Sequence, residues 1–563
     1  MTLSKSKKRV LIVGGVAGGA TAAAHARRLC EESEIIVFER GRYVSFANCG
    51  LPYYIGGEIV EKSDLLVQTP DGLRSRFNLD VRVMSEVVEI DSDGKRILVL
   101  DRISENKYWE AYDDLILSIG SKPLIPPIPG IDLPGHFTVR GIPDVEAINE
   151  WISKKHVRNA VVVGGGFIGL EMVEQLCNRN FNVVVLEALN QVMAPLDPEM
   201  AAWLHQELKA KSVDVFLENP VNRFETPENE EQACASIIEL KNGISLPADL
   251  VILGLGVRPE TSLAQTAGIK IGEKGGIKVD SHLKTNKPNI WAIGDAIEVK
   301  DCVTKESTLM PLAGPANRQG RIVAENILGD PMKYQGTWGT SILRLFDLTA
   351  GCTGANEKNL RRLNIPHDSV FLHPASHASY YPDAHRIAMK VLFDPGTGKL
   401  LGAQAIGRDG VDKRIDVFAT ALKAGMTVHE MEDIELAYAP PFGSAKDPIN
   451  LAGMVAQHVV HKDVQNVKWD EVSRLDFEQT VLLDVRDENE RNEGNIPNSI
   501  HIPLPELRQR YCELPIEKEI IVYCQTGQRS YFADRFLAQK GYRVKNLSGS
   551  YLTWKTAQEN SSF

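Results

Sequence analysis

No run of about 18 apolar residues occurs in the 563-residue chain, so no part of it reads as a membrane-spanning helix. The amino terminus, Met1 to Arg9, is basic and polar. The apolar stretch after it, Val10 to Val13, is broken at once by Gly14 and Gly15, so it reads as a buried strand and not as a signal-peptide core. Cytoplasm is the expected compartment. Positive charge is in deficit: the net charge is −11, which removes electrostatic support for a general nucleic-acid partner. Cysteine is sparse. Among the eight there is no CxxC pair and no zinc-ligand spacing, so no metal site is expected. Cys177 in an expected helix and Cys234 in an acid-rich stretch read as inert thiols. There is no low-complexity tract, and no internal repeat beyond two glycine turns.

The length predicts three to five domains, and the apolar fraction of 43% is ordinary for a globular protein. Residues 9–14 read as a buried parallel strand, followed by Gly14-Gly15-Val16-Ala17-Gly18-Gly19, an Ala-rich helix from Ala20 to Cys30, and a strand Ile35–Phe38 ending in Glu39. This is a βαβ unit with an acid 25 residues after the first glycine. Backbone N–H groups and the helix N-terminus can face a pyrophosphate, and Glu39 can accept from a ribose hydroxyl. The match to G-x-G-x-x-G is incomplete, because Val16 occupies the second glycine position. A second unit is cleaner. The strand Asn159–Val163 leads into Gly164-Gly165-Gly166-Phe167-Ile168-Gly169, then a helix from about Leu170 to Asn178, then a strand Val183–Leu186 ending in Glu187. A carboxylate there favours a free 2′-hydroxyl over a 2′-phosphate, hence NADH over NADPH.

The segment Thr285–Asp295, ending in Gly294-Asp295, resembles the flavin motif of the two-dinucleotide-binding disulfide reductases, in which the aspartate accepts from the ribityl chain. Leu253–Pro259, with Gly256, resembles that family's connection out of the NAD domain. The resemblance implies FAD plus NADH (or NADPH), with Arg40, Ser45, Asn48, Pro311 and Ala313 also against the cofactor. Residues 311–326 read as a helix completing the flavin domain. From about 335, strands such as Ile342–Phe346 and Ala388–Phe393 and a helix Val411–Ala424 resemble the family's interface domain, which implies a homodimer.

The loop Ser45-Phe46-Ala47-Asn48-Cys49-Gly50 holds one cysteine where most flavin disulfide reductases carry a pair, and no second cysteine follows up to Tyr54. An internal disulfide within this loop is excluded. A mixed disulfide, a persulfide or a sulfenic acid on Cys49 remains open. A helix beginning near Cys49 is expected to stabilise its thiolate. Ser45–Tyr53 resembles the active loop of coenzyme A disulfide reductases, and Tyr380-Tyr381-Pro382 and Ala437–Phe442 resemble that family's interface motifs. The resemblance implies that Tyr438, Tyr380 and Tyr381 act on the other subunit's cysteine as proton donors. It also implies that Arg28, with Arg27, Ser45 and Asn48, contacts coenzyme A. A related peroxide- and oxygen-reducing branch carries a histidine in the first glycine turn, where Ala17 stands here.

Residues 456–470 are polar and unpatterned and read as a linker. Beyond them, Val481–Arg486 and Glu519–Tyr523 read as strands, the second delivering Cys524 into the loop Cys524-Gln525-Thr526-Gly527-Gln528-Arg529-Ser530. N–H groups of such a loop, with Arg529, favour an anionic sulfur. The loop resembles that of rhodanese-type sulfurtransferases, as do Asp484-Val485-Arg486 and Gly494–Pro503; Asn495 stands where a histidine is usual. Dephosphorylation is a minor alternative for a cysteine–arginine loop.

The expected fold class is therefore α/β: two Rossmann-like dinucleotide-binding domains, an α+β dimerisation domain and a C-terminal rhodanese-like α/β domain. The expected boundaries are residues 1–155 and 286–332 for FAD, 156–285 for NAD, 333–455 for dimerisation, 456–469 as linker and 470–563 for rhodanese. The expected activity is NADH-dependent reduction of a coenzyme A persulfide, polysulfide or disulfide through Cys49, with sulfur transfer through Cys524. An NADH oxidase or peroxidase working through a sulfenic acid, and a sulfur-relay protein, are the alternatives.

Overall fold

The computed structural model describes residues 7–227 and 234–560. Residues 1–6 of the basic amino terminus, 228–233 of the expected NAD domain and 561–563 of the expected rhodanese domain lie outside the described residues. The chain divides into two compact units. One comprises residues up to Leu186 with Asn219–Thr337. The other comprises Glu187–Glu218 with the chain from Trp338 onward.

In the first unit, five parallel strands run in the order Ile290–Ala292, Asp114–Leu117, Arg9–Val13, Glu34–Glu39 and Asp80–Val83. Leu11, Ile12, Ile36, Leu115 and Ile116 have no exposed surface, because the sheet is covered by the helices Ala17–Leu29 and Ala313–Leu328 and by the antiparallel strands Ser85–Asp91 and Arg96–Asp101. The helix after the first strand runs Ala17–Leu29 and packs on Ala313–Leu328. A second parallel sheet contains Asn182–Leu186, Asn159–Val163, Leu250–Leu253 and His136–Phe137, with the helix Phe167–Asn178 after its glycine turn. Both glycine turns obey the same steric rule. Gly14 and Gly164 take φ of +98° and +107°. A Cβ at Gly19 or Gly169 would overlap the carbonyl oxygen of Gly14 or Gly164 respectively.

The second unit holds an antiparallel sheet in the order Ser341–Leu345, Leu348–Gly354, Leu400–Gly407, Ile387–Phe393 and Asp368–Leu372, with the helix Val411–Ala424 against it. A parallel sheet follows: Asn466–Val467, Arg543–Leu547, Glu519–Tyr523, Thr480–Asp484 and Ile500–His501.

The expected linker 456–469 is corrected by the structure. The helix Pro448–Val460 takes up its first residues, and Asn466–Val467 is already an edge strand of the last sheet. The polarity misread as linker composition belongs to residues that join two domains. Lys468 Nζ reaches Glu357 Oε1 at 2.8 Å, and the Tyr531 hydroxyl lies 3.1 Å from His458 Nε2. Ser548 Oγ accepts from the Phe371 amide at 3.0 Å, and Thr553 Oγ1 lies 2.8 Å from His373 Nε2. The C-terminal domain is docked on the dimerisation sheet and is not free on a tether.

An ion cluster explains why Glu187–Glu218 sits with the second unit and not with the rest of the expected NAD domain. Lys390 Nζ, fully buried, lies 2.9 Å from Asp197, 2.5 Å from Glu199 and 2.5 Å from Glu357. The three carboxylates approach one another within 4.8 Å, and the ammonium fills the space a cation would take. Gln404 Nε2 completes the set by donating to Asp197 at 2.6 Å. Asp197 and Glu199 open the helix Pro198–Ala210, so Lys390 and Gln404 together tie that helix to the dimerisation sheet.

Candidate active sites

The first site is built by the loop after the strand Glu34–Glu39. Ser45 adopts φ of +45°, a region side-chain-bearing residues rarely occupy. Its N–H donates to Gly15 O at 2.8 Å, and its carbonyl accepts from the Gln68 N–H at 3.2 Å. The bend leads into a short helical turn, Asn48–Gly50, and the helix Leu51–Gly56 with Pro52 in its first turn. Cys49 is exposed, and Asn48 Nδ2 donates to Arg140 O at 3.1 Å.

The expected helix stabilisation of the Cys49 thiolate is outweighed. Desolvation by the surrounding protein raises the thiol's pKa, the carboxylates of Glu171 and Asp295 raise it further, and its own backbone N–H offsets only part of this. Glu171, on the helix Phe167–Asn178, was not legible as a site residue. Its link to the cysteine loop is spatial: the Tyr53 hydroxyl donates to Glu171 Oε1 at 3.5 Å. Neutralising Glu171 is expected to favour the thiolate. We expect Glu171→Gln to speed Cys49 alkylation by iodoacetamide at pH 7.5 roughly threefold. Peptide mass spectrometry over a pH series reads this directly. Rates unchanged across the series would contradict the influence assigned to Glu171. Cys177 reads as the inert thiol expected, since burial and then Glu174 push it up to about 11.

The residues present fit FAD. Gly14, Gly15, Val16, Ala17, Gly18 and Gly19 form the turn into the helix Ala17–Leu29, whose first turn carries no acid. Glu39 stands at the strand end, where its carboxylate accepts from the N–H groups of Gly15 and Gly41, each at 2.9 Å. Gly294 takes φ of +76° and donates to Gln319 Oε1 at 2.7 Å. Asp295 accepts from the Ser121 hydroxyl at 3.1 Å, and desolvation raises its carboxyl. Pro311 and Ala313 lead into the helix Ala313–Leu328, and Arg40 follows Glu39 half-buried. The second glycine turn, Gly164, Gly166, Phe167, Ile168 and Gly169, fits a second dinucleotide, with Gly256 at φ of +94° before the strand Val257–Pro259. Glu187 follows Leu186 directly, and its carboxylate accepts from the Leu189 N–H at 2.9 Å.

Arg27 is corrected as a coenzyme A ligand. It is buried, and its guanidinium donates to the carbonyls of Phe77, Cys30, Glu31, Ser33 and Asn78, so it ties the helix end to its neighbours. Arg28, one residue on, is exposed, with His25 Nδ1 at 3.2 Å.

In the second unit, Tyr380 and Tyr438 come together with their hydroxyls 2.9 Å apart, both exposed. Tyr381 is exposed too, but its ring packs edge-on against His377 and it stands outside this pair.

The second cysteine site follows the strand Glu519–Tyr523. Cys524 is buried, and Gly527, at φ of +113°, caps the helix Gln528–Gln539. The Gly527 N–H donates to Cys524 Sγ at 3.1 Å, and Ser550 Oγ lies 3.8 Å from it. Ser550 comes from the far end of the domain and escaped the sequence reading. Arg529 does not point its charge freely at the sulfur. It is forked onto Glu490, 2.7 Å on each nitrogen, with Asp487 at 3.2 Å.

Three family models match the chain. Residues 8–320 match pyridine nucleotide-disulphide oxidoreductase, 341–447 its dimerisation domain, and 469–557 a rhodanese-like domain. A coenzyme A disulfide reductase of Staphylococcus haemolyticus is 34% identical over 80% of this chain and 99% of its own. The crystal structure of reduced Bacillus anthracis CoADR-RHD superposes with a TM-score of 0.96 at 49% identity, covering 98% of this chain and 99% of that one. The NAD-dependent persulfide reductase of A. fulgidus gives 0.90 at 36%, covering 97% and 100%. This chain belongs to the pyridine nucleotide-disulphide oxidoreductases, with the family's dimerisation domain and a rhodanese-like domain in one polypeptide.

Proposed function

We propose that the protein is an FAD-dependent, NADH-favouring reductase of coenzyme A persulfides, polysulfides or disulfides, coupled to a sulfurtransferase domain. The observation that carries this reading is a lone, exposed cysteine in a reductase whose chain also holds a second cysteine loop of rhodanese form. The chemistry FAD supplies when bound is two-electron transfer between NADH and the cysteine sulfur.

Cys49 thiolate attacks the S–S bond of the substrate. From coenzyme A disulfide this gives a Cys49–S–S–CoA mixed disulfide and one thiolate. From a coenzyme A persulfide, attack at the inner sulfur gives the same adduct and hydrosulfide. Two electrons and one proton then cleave the adduct to coenzyme A thiol and Cys49 thiolate. Arg28 is the residue proposed for the coenzyme A phosphates, with Ser45 and Asn48 lining the loop. In a homodimer, the Tyr380–Tyr438 pair would protonate the thiolate leaving Cys49 of the partner subunit; Tyr381 is the weaker candidate. Glu187 supports the preference for NADH, because a carboxylate repels a 2′-phosphate. Working on thiols with all eight cysteines free fits a reducing compartment such as the cytoplasm.

Anaerobic NADH oxidation with coenzyme A persulfide, polysulfide and coenzyme A disulfide in turn tests the assignment. Turnover with at least one of them, exceeding the rate with oxygen alone at least tenfold, is expected. Comparable NADH consumption with oxygen alone would assign an oxidase instead. If Cys524→Ser changes no reaction fed by a sulfane-sulfur donor, the sulfurtransferase half falls.

A further inference from the structure

Three arginines lie in or beside the Cys524 loop, and all three are occupied. Arg486, fully buried, donates to Asp484 at 2.8–3.0 Å, to the carbonyls of Gly494 (2.8 Å) and Glu490 (3.1 Å), and to Gln525 Oε1 at 3.2 Å. Arg491 is held by Asp484 and Ser499. Arg529, the one arginine within the loop, is forked onto Glu490 and touches Asp487. The loop itself offers no other cation, since Gln525, Thr526, Gly527, Gln528 and Ser530 are neutral. The segment 484–493 that faces it carries five acids against two arginines.

Resting on the sulfurtransferase reading above, we infer that Glu490 sets donor specificity at Cys524. By pairing with Arg529, it offsets the one loop cation whose charge acts on Cys524, and the sulfur keeps the Gly527 N–H at 3.1 Å and the Ser550 hydroxyl at 3.8 Å. A dianionic donor such as thiosulfate must then approach the thiolate past Glu490 and Asp487, with the Arg529 charge already offset by them. The –S–SH group of a persulfide brings at most one negative charge to the sulfur, and its leaving group is a singly charged thiolate. The two transfers balance without any oxidant. From R–S–SH, Cys524–S⁻ takes the outer sulfur, the S–S bond of the donor breaks, and Cys524–S–SH and R–S⁻ form. From thiosulfate, Cys524–S–S⁻ forms and sulfite leaves as a dianion. The second demands that the site tolerate a doubly charged leaving group, and the first does not.

Glu490→Gln separates charge from structure. Glu490 Oε2 also accepts from the Asp487 N–H at 3.1 Å, capping the helix Glu488–Asn492, and a glutamine oxygen keeps that bond. The assay uses the full-length flavoprotein with cyanide as acceptor, and either thiosulfate or glutathione persulfide as donor. The expected result is a rise of at least about tenfold in kcat/KM for thiosulfate, mostly through KM, with the persulfide value changed by less than about threefold. Asp487→Asn, which removes the charge and keeps a side-chain oxygen to accept from the backbone N–H of the capping box, is expected to move the ratio the same way by a smaller factor. It also decides the matter if the Glu490 variant does not fold. Equal changes for both donors, or no gain with thiosulfate, would overturn the gate while leaving the sulfurtransferase intact. Wild type that transfers sulfur from neither donor would remove the sulfurtransferase reading, and the gate with it.

Discussion

Cys49→Ser is expected to lower NADH-dependent reduction of coenzyme A disulfide and persulfide by at least about 1,000-fold. Serine keeps the size and the exposed position, but its oxygen neither ionises near neutral pH nor forms a bond to sulfur that NADH can reduce. Substrate sulfur then has nowhere to wait for electrons. The glycine turn, Glu39 and Asp295 are untouched by the change, so the purified variant should still carry its yellow flavin at one per chain. Sulfur transfer to cyanide through Cys524 should be unaltered, because that site draws its sulfur contacts from Gly527 and Ser550 of the last domain. Retention of more than a tenth of wild-type reductase activity, in flavin-replete protein, would contradict the assignment of Cys49.

Lys390→Met is the change expected to cost the second unit most stability, about 3–5 kcal/mol. Removing the ammonium leaves Asp197, Glu199 and Glu357 buried together without their shared counter-charge. Lys468 and Arg361 still reach Glu357, at 2.8 and 2.7 Å, but neither lies among the hydrogen-bond partners of Asp197 or Glu199. Burial alone would raise the carboxyls of Asp197 and Glu357. The Lys390 charge overrides it and holds both below the usual carboxylate range. A depressed folded-state pKa gives stability that is present above the unfolded-state value of about 4 and lost as pH falls through the folded value. In the variant the carboxyls titrate upward instead. Its deficit should therefore be largest near neutral pH and narrow on acidification toward pH 5. Urea unfolding of both proteins at the two pH values reads the effect. Equal midpoints at neutral pH would contradict the role of this lysine.

What could be read from the chain in advance is what local geometry determines. A glycine turn between an apolar strand and an Ala-rich helix needs only neighbours in sequence, so Gly14–Gly19 and Gly164–Gly169 were legible, as was Cys524 at a strand end. Pairs separated by long stretches of chain were not. Nothing in the sequence ties Glu490 to Arg529, or Lys390 to Asp197. Arg27 and Arg28 are indistinguishable as letters, and only the packing of the helix end decides which one is buried. The misread linker has a similar origin. Lys468 and His458 are polar because they bridge two domains, and composition cannot separate a bridging polar residue from a solvated one. The Cys49 thiol shows the same limit for electrostatics: the helix beside it is local, whereas the desolvation that raises it comes from the folded surroundings, and Glu171 and Asp295, which raise it further, arrive from a helix and a turn distant in sequence.

On the proposed function, the lone cysteine stores the oxidising equivalent in a bond to its substrate. The most direct test is the intact mass of the flavoprotein after anaerobic incubation with coenzyme A disulfide and no NADH, followed by peptide mapping. One coenzyme A per chain is expected, in disulfide linkage to Cys49 and released on adding NADH. An unmodified Cys49, a sulfenic acid in place of the adduct, or an adduct that NADH leaves in place would contradict it.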